Sequence, residues 1–434
     1  MIPRLRHWWR EMRSSFWFVP AVIVLGAVGL AGCLVALDAS IELHVDKQWP
    51  LVFGAGAAGS RGLLATVASS MITVAGVVFS ITIVALSLTS SQYTSRVLRN
   101  FMRDWTNQVV LGVFLGIFAY CLMVLRTIRE EGEGSFVPSL AVIGGLILAF
   151  VGIAVLIYFI HHISLSIQAS SIIAAAAEET IAAVEKLFPE ALGDDAEEGD
   201  SEVKLPESSW IEVGARTTGY IESIDEGAIL VWARKHQSIV RMDRGIGEFI
   251  VEGCPLMSIA GPGGADEEMV AALNEIYVIG RQRTVEQDAG FGIRQIVDIA
   301  MKALSPGVND TTTAVTCVDH LAAILARLAA RRLASPRRFD EGELRVIARG
   351  PSFESLLGEA FDQIRQNAEG NPAILQRQLE SLEVIAGRTA CSHRKRSLRR
   401  QAELIVAVAE RTINSSHDAA GVKTASMRLS RVLD

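Results

Sequence analysis

Apolar residues run almost unbroken through four stretches in the first part of the chain: Phe16 to Leu37, Leu63 to Leu88, Val109 to Leu125 and Leu140 to Ile163. A helix rises about 1.5 Å per residue, so a hydrocarbon core near 30 Å asks for about 20 apolar residues. The pattern therefore predicts four transmembrane helices, the third the shortest. Basic residues near the ends set the orientation. Arg4, Arg6, Arg10 and Arg13 precede the first span, and Arg96, Arg99 and Arg103 lie between the second and third. In the other two loops Arg61, Arg126 and Arg129 are diluted by Asp46, Glu130, Glu131 and Glu133. Both termini are expected to be cytoplasmic, with Trp8, Trp9 and Trp17 as interface anchors. Leu30-Ala31-Gly32-Cys33 resembles a lipoprotein cleavage site, but the apolar run continues through Leu34, Val35 and Leu37, where a lipoprotein has a polar tether.

Within the second span the small and hydroxyl residues are ordered. At about 100° per residue, with Ser69 at zero, Thr73 falls near 40°, Gly76 near 340°, Ser80 near 20°, Ser87 near 0° and Thr66 near 60°, a single stripe along the helix. Two readings stand. Small residues let helix backbones approach closely, or the stripe lines an aqueous or ion path in an oligomer, where hydroxyls partly replace hydration. Small ridges elsewhere suit packing: Gly112 and Gly116 in the third span, Ala141, Gly145 and Ala149 in the fourth, and Gly26, Gly29 and Gly32 in the first. No Asp, Glu, Lys or Arg lies inside a predicted span, which removes the usual mark of a proton relay or ion-coupled pump.

The periodicity stays helical from Ser164 to Phe188, and "GDDAEEGDSE", Gly193 to Glu202, reads as a solvated acidic linker. Between Trp210 and Ala260 short strand-like runs alternate with turns and predict a small β-barrel or sandwich, with Asp225 capping a short helix over Glu226 to Lys235. From Glu267 onward the pattern is helical, apart from loops near Gly290, Pro306, Pro336, Gly350 and Gly370. The expected fold class is thus an integral membrane protein with four transmembrane α-helices, followed by a cytosolic α+β part. Its divisions are 1–163 transmembrane, 164–205 helix extension and linker, 206–262 β-rich, and 263–434 helical.

Composition agrees. Half of the 434 residues are hydrophobic and the mean hydropathy is +0.33, whereas a net charge of −7 argues against a nucleic-acid partner. Five scattered cysteines form no metal or redox pair. The densest polar passage runs from Ile279 to Leu321, where Arg281, Arg283 and Arg294 are candidates to gather around an anion, with Asn309, Asp310 and His320 nearby in sequence. No catalytic spacing is present; neither a cofactor nor a metal site is expected, and ion pairs and helix caps account for the same residues. Adjacent His161 and His162 point to different helix faces and read as interface residues. The basic run Arg394, Lys395, Arg396, Arg399 and Arg400 suits either an anionic leaflet or a solvated helix face, on a long helix from Leu398 to Leu433.

"VAGVVFSITIVALSLTSSQYTSRVLRNF", "TGYIESID" and above all "ALSPGVNDTTTAVTCVDHL" resemble a bacterial family of predicted membrane proteins catalogued as domain of unknown function 2254. Thr311 stands where that family commonly has Pro, and still suits a first helical turn. The resemblance implies an integral inner-membrane protein with a cytosolic tail, and no reaction or ligand. The expectation drawn from the residues is a homo-oligomeric channel-like protein, not an enzyme, whose partners are the bilayer, its own copies and a small ion or ligand. The alternative is a membrane-anchored ligand-binding or scaffold module without a pore; a membrane-tethered enzyme acting on an anionic substrate ranks last.

Overall fold

The computed structural model describes residues 17–40, 56–92, 104–129, 136–188, 210–261, 266–331, 333 and 335–434. The arginines and tryptophans before Trp17, Arg96, Arg99, Arg103 and the acidic stretch after Gly193 lie outside the described residues. The chain divides into two compact units, residues 1–171 and 172–434.

Among the described residues four helices build the first unit: α1 (Phe18–Ser40), α2 (Gly56–Gln92), α3 (Trp105–Thr127) and α4 (Ser139–Ser166). The third is its hub. Half of its most apolar stretch is buried, against 11% of that of α1, and it packs on all three neighbours. Glycines make this possible. A Cβ on Gly112 would lie 2.8 Å from Ile23 and 3.0 Å from the Pro20 backbone, and one on Gly145 would lie 2.6 Å from Leu64. The ridges in the third and fourth spans are therefore packing notches, whereas Gly26, Gly29 and Gly32 of α1 meet nothing within 4 Å.

Side chains from elsewhere in the unit close helix ends here, since terminal N–H and C=O groups have no partner within their own helix. Asp38, at the end of α1, accepts hydrogen bonds from the N–H groups of Leu140 (3.2 Å) and Ala141 (3.1 Å) at the start of α4. Arg61 of α2 donates to the Ile128 carbonyl at the end of α3, 2.8 Å away. The predicted continuation of α4 is interrupted at Ile167 and Gln168, where α5 (Ala169–Leu187) starts afresh. Ser164 and Ser166 hydroxyls bond back to the carbonyls of Ile160 and His162 in that last turn, competition that weakens a helix.

The second unit begins with α5 and continues β1 (Ile211–Gly214), β2 (Gly219–Ile224), α6 (Glu226–Lys235), β3 (Ile239–Met242), β4 (Phe249–Ile250), β5 (Pro255–Ala260), α7 (Glu267–Glu275), β6 (Tyr277–Gly280), α8 (Ala289–Ala303), α9 (Thr311–Ala329), β7 (Arg337–Asp340), β8 (Glu343–Ile347), α10 (Phe353–Asn367), α11 (Pro372–Ala386), α12 (Ser392–Thr412) and α13 (Ser416–Leu433). Two sheets, ordered β1-β5-β3-β8-β7 and β4-β2-β6, share one apolar core that includes Val213, Ile221, Val240, Leu256 and Tyr277.

Three of these strands fall in the part expected to be helical apart from loops. Tyr277 to Gly280 pairs antiparallel with β2, and β7 and β8 form a hairpin whose Glu341 and Gly342 both take positive φ, 52° and 83°. β8 then joins β3 in parallel, so a segment about a hundred residues downstream completes the sheet. Such a partner is invisible to local periodicity. The long helix expected from Leu398 is two helices, parted where Ser415 caps α13 by accepting from the Asp418 N–H.

Among the described residues five helices, not four, are long and apolar enough to cross a membrane. The fifth is α9, with a mean hydropathy of 1.2 against 2.4 to 2.9 for the others. Asp319, His320 and Arg327 interrupt it, and its buried face, Ala314, Cys317, Leu321 and Leu325 among others, packs against α8 and α11 within the second unit. A reading by unbroken apolar runs passes over it for that reason.

Basic side chains cap this unit as well. Arg394 donates to the carbonyls of Ala329 and Arg331 at the end of α9, both at 2.9 Å, and lies over the Phe353 ring. Arg331 in turn reaches the Glu185 and Phe188 carbonyls at the end of α5, and Lys395 the Val432 carbonyl of α13. Arg399 and Arg400 pair with Asp434 and Glu354. Much of the basic run is thus built into the fold. Arg394→Leu is expected to destabilise the protein by about 2 kcal/mol, the order of a charged hydrogen bond removed from buried carbonyls, while exposed Arg396→Ala stays within about 0.5 kcal/mol; denaturant titration of the chain in detergent measures both.

Candidate functional site

Every residue of the predicted stripe, Thr66, Ser69, Thr73, Gly76, Ser80 and Ser87, is exposed on α2. The buried side of the same helix is a different arc: Leu64, Ala68, Met71, Ala75, Val78, Thr82, Ala85 and Thr89. At about 100° per residue the buried arc centres near 210° from Ser69 and the stripe near 20°, so the two lie on opposite sides. Among the described residues no neighbouring helix covers the stripe. Gly62 and Gly76 meet nothing within 4 Å. Thr66 and Thr73 hydroxyls bond back to the Gly62 and Ser69 carbonyls at 2.8 Å. For the hydroxyls of Ser69, Ser80 and Ser87 the described residues offer no partner.

The polar passage of the second unit is resolved into local pairs. Arg281 is exposed before α8. Arg283 holds Asp288 at 2.8 Å and lies over Phe291, while Asp288 caps α8 by accepting from the Phe291 N–H. Gly247 lets this pair in, since a Cβ there would collide with the Asp288 carboxylate. Burial pushes the Asp288 carboxyl up from its ordinary value, against the pull of the Arg283 charge and hydrogen bond. Arg294 pairs with Asp298 and Glu359.

At the far end of α8, Asn309 takes positive φ (49°) and Asp310 is the N-cap of α9, accepting from the Thr313 N–H and hydroxyl. Those bonds hold its carboxyl below the usual range. His320 lies further along α9, half-buried, with no polar partner among the described residues. The structure therefore links Arg283, Asp288, Arg294 and Glu359 along one side of α8, and leaves Asn309, Asp310 and His320 apart from them.

A different feature escaped the sequence reading. Arg377, Arg388 and Arg428 line an open groove of about 630 Å³ on α11 and α13, with Glu380, Glu383, Val384, Gly387 and Val432. Arg377 bonds Asp319 at 2.5 Å and Glu380 at 3.2 Å; Arg428 bonds Glu380 and Glu383. Burial raises the Glu380 carboxyl, but hydrogen bonds from Gln376, Arg377 and Arg428 outweigh it and hold the group low. Two arginines are neutralised in place, and Arg388 has no acidic partner among the described residues. The only signal in the sequence was arginine spacing on two helices that tertiary structure brings together.

An apolar four-helix unit joined to a folded α+β unit defines a multi-pass membrane protein. The model of the family described as Predicted membrane protein (DUF2254) matches residues 13–384, and the chain belongs to that family. It is similar to the uncharacterized proteins MT1328 and Rv1290c of Mycobacterium tuberculosis and Mb1321c of Mycobacterium bovis, each 34% identical over 433 residues, spanning 98% of this chain and 81% of the relative. No solved structure matches.

Asp310 and Asp288 are expected to act on stability with opposite pH signs. The lowered carboxyl of Asp310 contributes stability above the unfolded value, near 4, and loses it as pH falls through the folded value. Asp288, raised, contributes most in acid and loses that contribution as pH rises through its folded value. Asp310→Ala should cost about 1 kcal/mol at neutral pH, as lost caps do; Asp288→Asn, which keeps an acceptor for Phe291, should flatten the acid side of the profile. Thermal unfolding across pH checks both.

Proposed function

We propose that this protein is a homo-oligomeric, channel-like protein of the bacterial inner membrane, with both termini cytoplasmic. The exposed stripe of α2 faces sister copies around a passive path, and the second unit serves assembly or regulation without catalysis. One observation carries this reading: three serine hydroxyls, Ser69, Ser80 and Ser87, stand on the outer side of an apolar helix without a partner among the described residues. Facing lipid, they can bond only to carbonyls of their own helix, as Thr66 and Thr73 do; facing water or another copy, they gain partners beyond it. Gly62 and Gly76 on the same side permit close approach between copies.

A second reading, a membrane-anchored ligand-binding or scaffold module without a pore, is supported by the arginine-lined groove of α11 and α13. Reconstitution into planar bilayers separates the two. The channel reading expects conductance from the full chain, its loss in Ser80→Leu with the oligomer intact, and disulfide-linked dimers from Ser69→Cys or Ser80→Cys. Silence of the wild-type protein across voltage, tension and pH, with no cross-linking, removes it.

A further inference from the structure

Among the described residues the groove on α11 and α13 keeps a cation unanswered. Arg377 is held by Asp319 and Glu380, and Arg428 by Glu380 and Glu383, whereas exposed Arg388, just past the end of α11, meets no acid there. Nor do exposed Arg396 and Arg431, the neighbours in sequence of Lys395 and Val432.

The charge is laid out in a line. At about 100° per residue Arg388 falls near 20° from Arg377, and the two stand about 16 Å apart along the axis of α11. Arg428 and Val432 of α13 flank the same stretch. A small anion cannot touch both ends of such a line, whereas about five residues of extended chain cover it. Donors remain for that chain. A guanidinium carries five N–H groups, and Arg377 and Arg428 each commit two nitrogens to the acids that hold them.

The chain carries its own polyanion. Gly193 to Glu202 holds six carboxylates and no basic residue, in the stretch outside the described residues between α5 and β1. Contacts lead from the start of that stretch to the groove. The Phe188 carbonyl accepts from Arg331 at 2.6 Å, the Arg331 carbonyl accepts from Arg394 at 2.9 Å, and Lys395, next in the chain, reaches the Val432 carbonyl at 3.1 Å. Val432 is part of the groove wall. Counted from Phe188, the acids begin at about 20 Å of extended chain and end at about 48 Å, so length does not keep them from the arginines.

We propose that the acidic segment Gly193–Glu202 docks along the line from Arg377 to Arg388 of its own chain, its carboxylates meeting Arg388 and the spare donors of Arg377 and Arg428. Charge and tether select this occupant. Attachment at Phe188 keeps the acids at a high effective concentration beside the groove, an advantage that no separate polyanion shares. Exposed ion pairs are weak one by one, and several on one tethered segment act together. The inference rests on the second reading only in using the same groove, and it holds whether or not α2 lines a conduit.

The test uses the full chain in lipid nanodiscs with Arg388→Lys, which keeps the charge at an exposed position. A water-soluble carbodiimide joins a lysine amine to a carboxylate in contact with it, forming an amide while the reagent takes up the water lost, and peptide mass spectrometry locates each joint. Residue 388 is expected to join Gly193–Glu202 about tenfold more often than Lys423 does, a residue exposed on α13 outside the groove. In about 1 M salt, where the screening length is about 3 Å, the two should become equal. Joining no more frequent than at Lys423, or unchanged by salt, overturns the docking. Joints between isotopically labelled and unlabelled copies in a mixed preparation, in place of joints within one copy, overturn the chain's own segment as occupant. A second measurement leaves the groove native: with the six carboxylates changed to Asn and Gln, phenylglyoxal should modify Arg388 about fivefold faster than in the wild-type chain, and an unchanged rate refutes the proposal. Conductance enters neither readout, so this result and that of the bilayer recordings stand apart.

Discussion

Each helix ends with backbone groups that its own turns cannot satisfy, and this protein answers many of them with side chains from far along the chain. Asp38 closes the start of α4 across about a hundred residues; Arg61 closes the end of α3, Arg331 that of α5, Arg394 that of α9 and Lys395 that of α13. The signs follow the helix dipole, acid at a start and base at an end. In hydrocarbon this is close to obligatory, because a bare carbonyl finds no water there. These bonds fix where neighbouring helices begin and end relative to one another, and packing fills what lies between.

In the first unit that packing centres on α3. Gly112 and Gly116 admit α1, and Gly145 and Gly152 of α4 admit Leu64 and Met71 of α2. Lipid supplies no hydrophobic drive between helices, so close backbone approach has to supply the contact. Once α2 has turned Leu64, Met71 and Val78 toward these notches, its hydroxyl side points away from the bundle. The outward stripe is a consequence of the notches.

In the second unit the chemistry-bearing residues are mostly engaged with one another. Arg283 with Asp288, Arg294 with Glu359, and Arg377 with Asp319 hold helices together. The groove on α11 and α13 differs because Arg388 stands in it without an acid partner among the described residues.

The sequence by itself determined the four long apolar helices, the cap at Asp225 with its helix to Lys235, the loop near Pro306 and the single angular position of the stripe. Each of these depends on residues within a few turns of one another, which is all that hydropathy and periodicity require. Tertiary structure alone decided the rest. The join of β8 to β3, the binding of Arg394 to another helix's carbonyls, the gathering of arginines on α11 and α13, and the exposed placement of the stripe each depend on a neighbour distant in the chain. A helical period gives the angle of a residue about its own axis, and only the neighbours that pack against that axis decide which angle is inside.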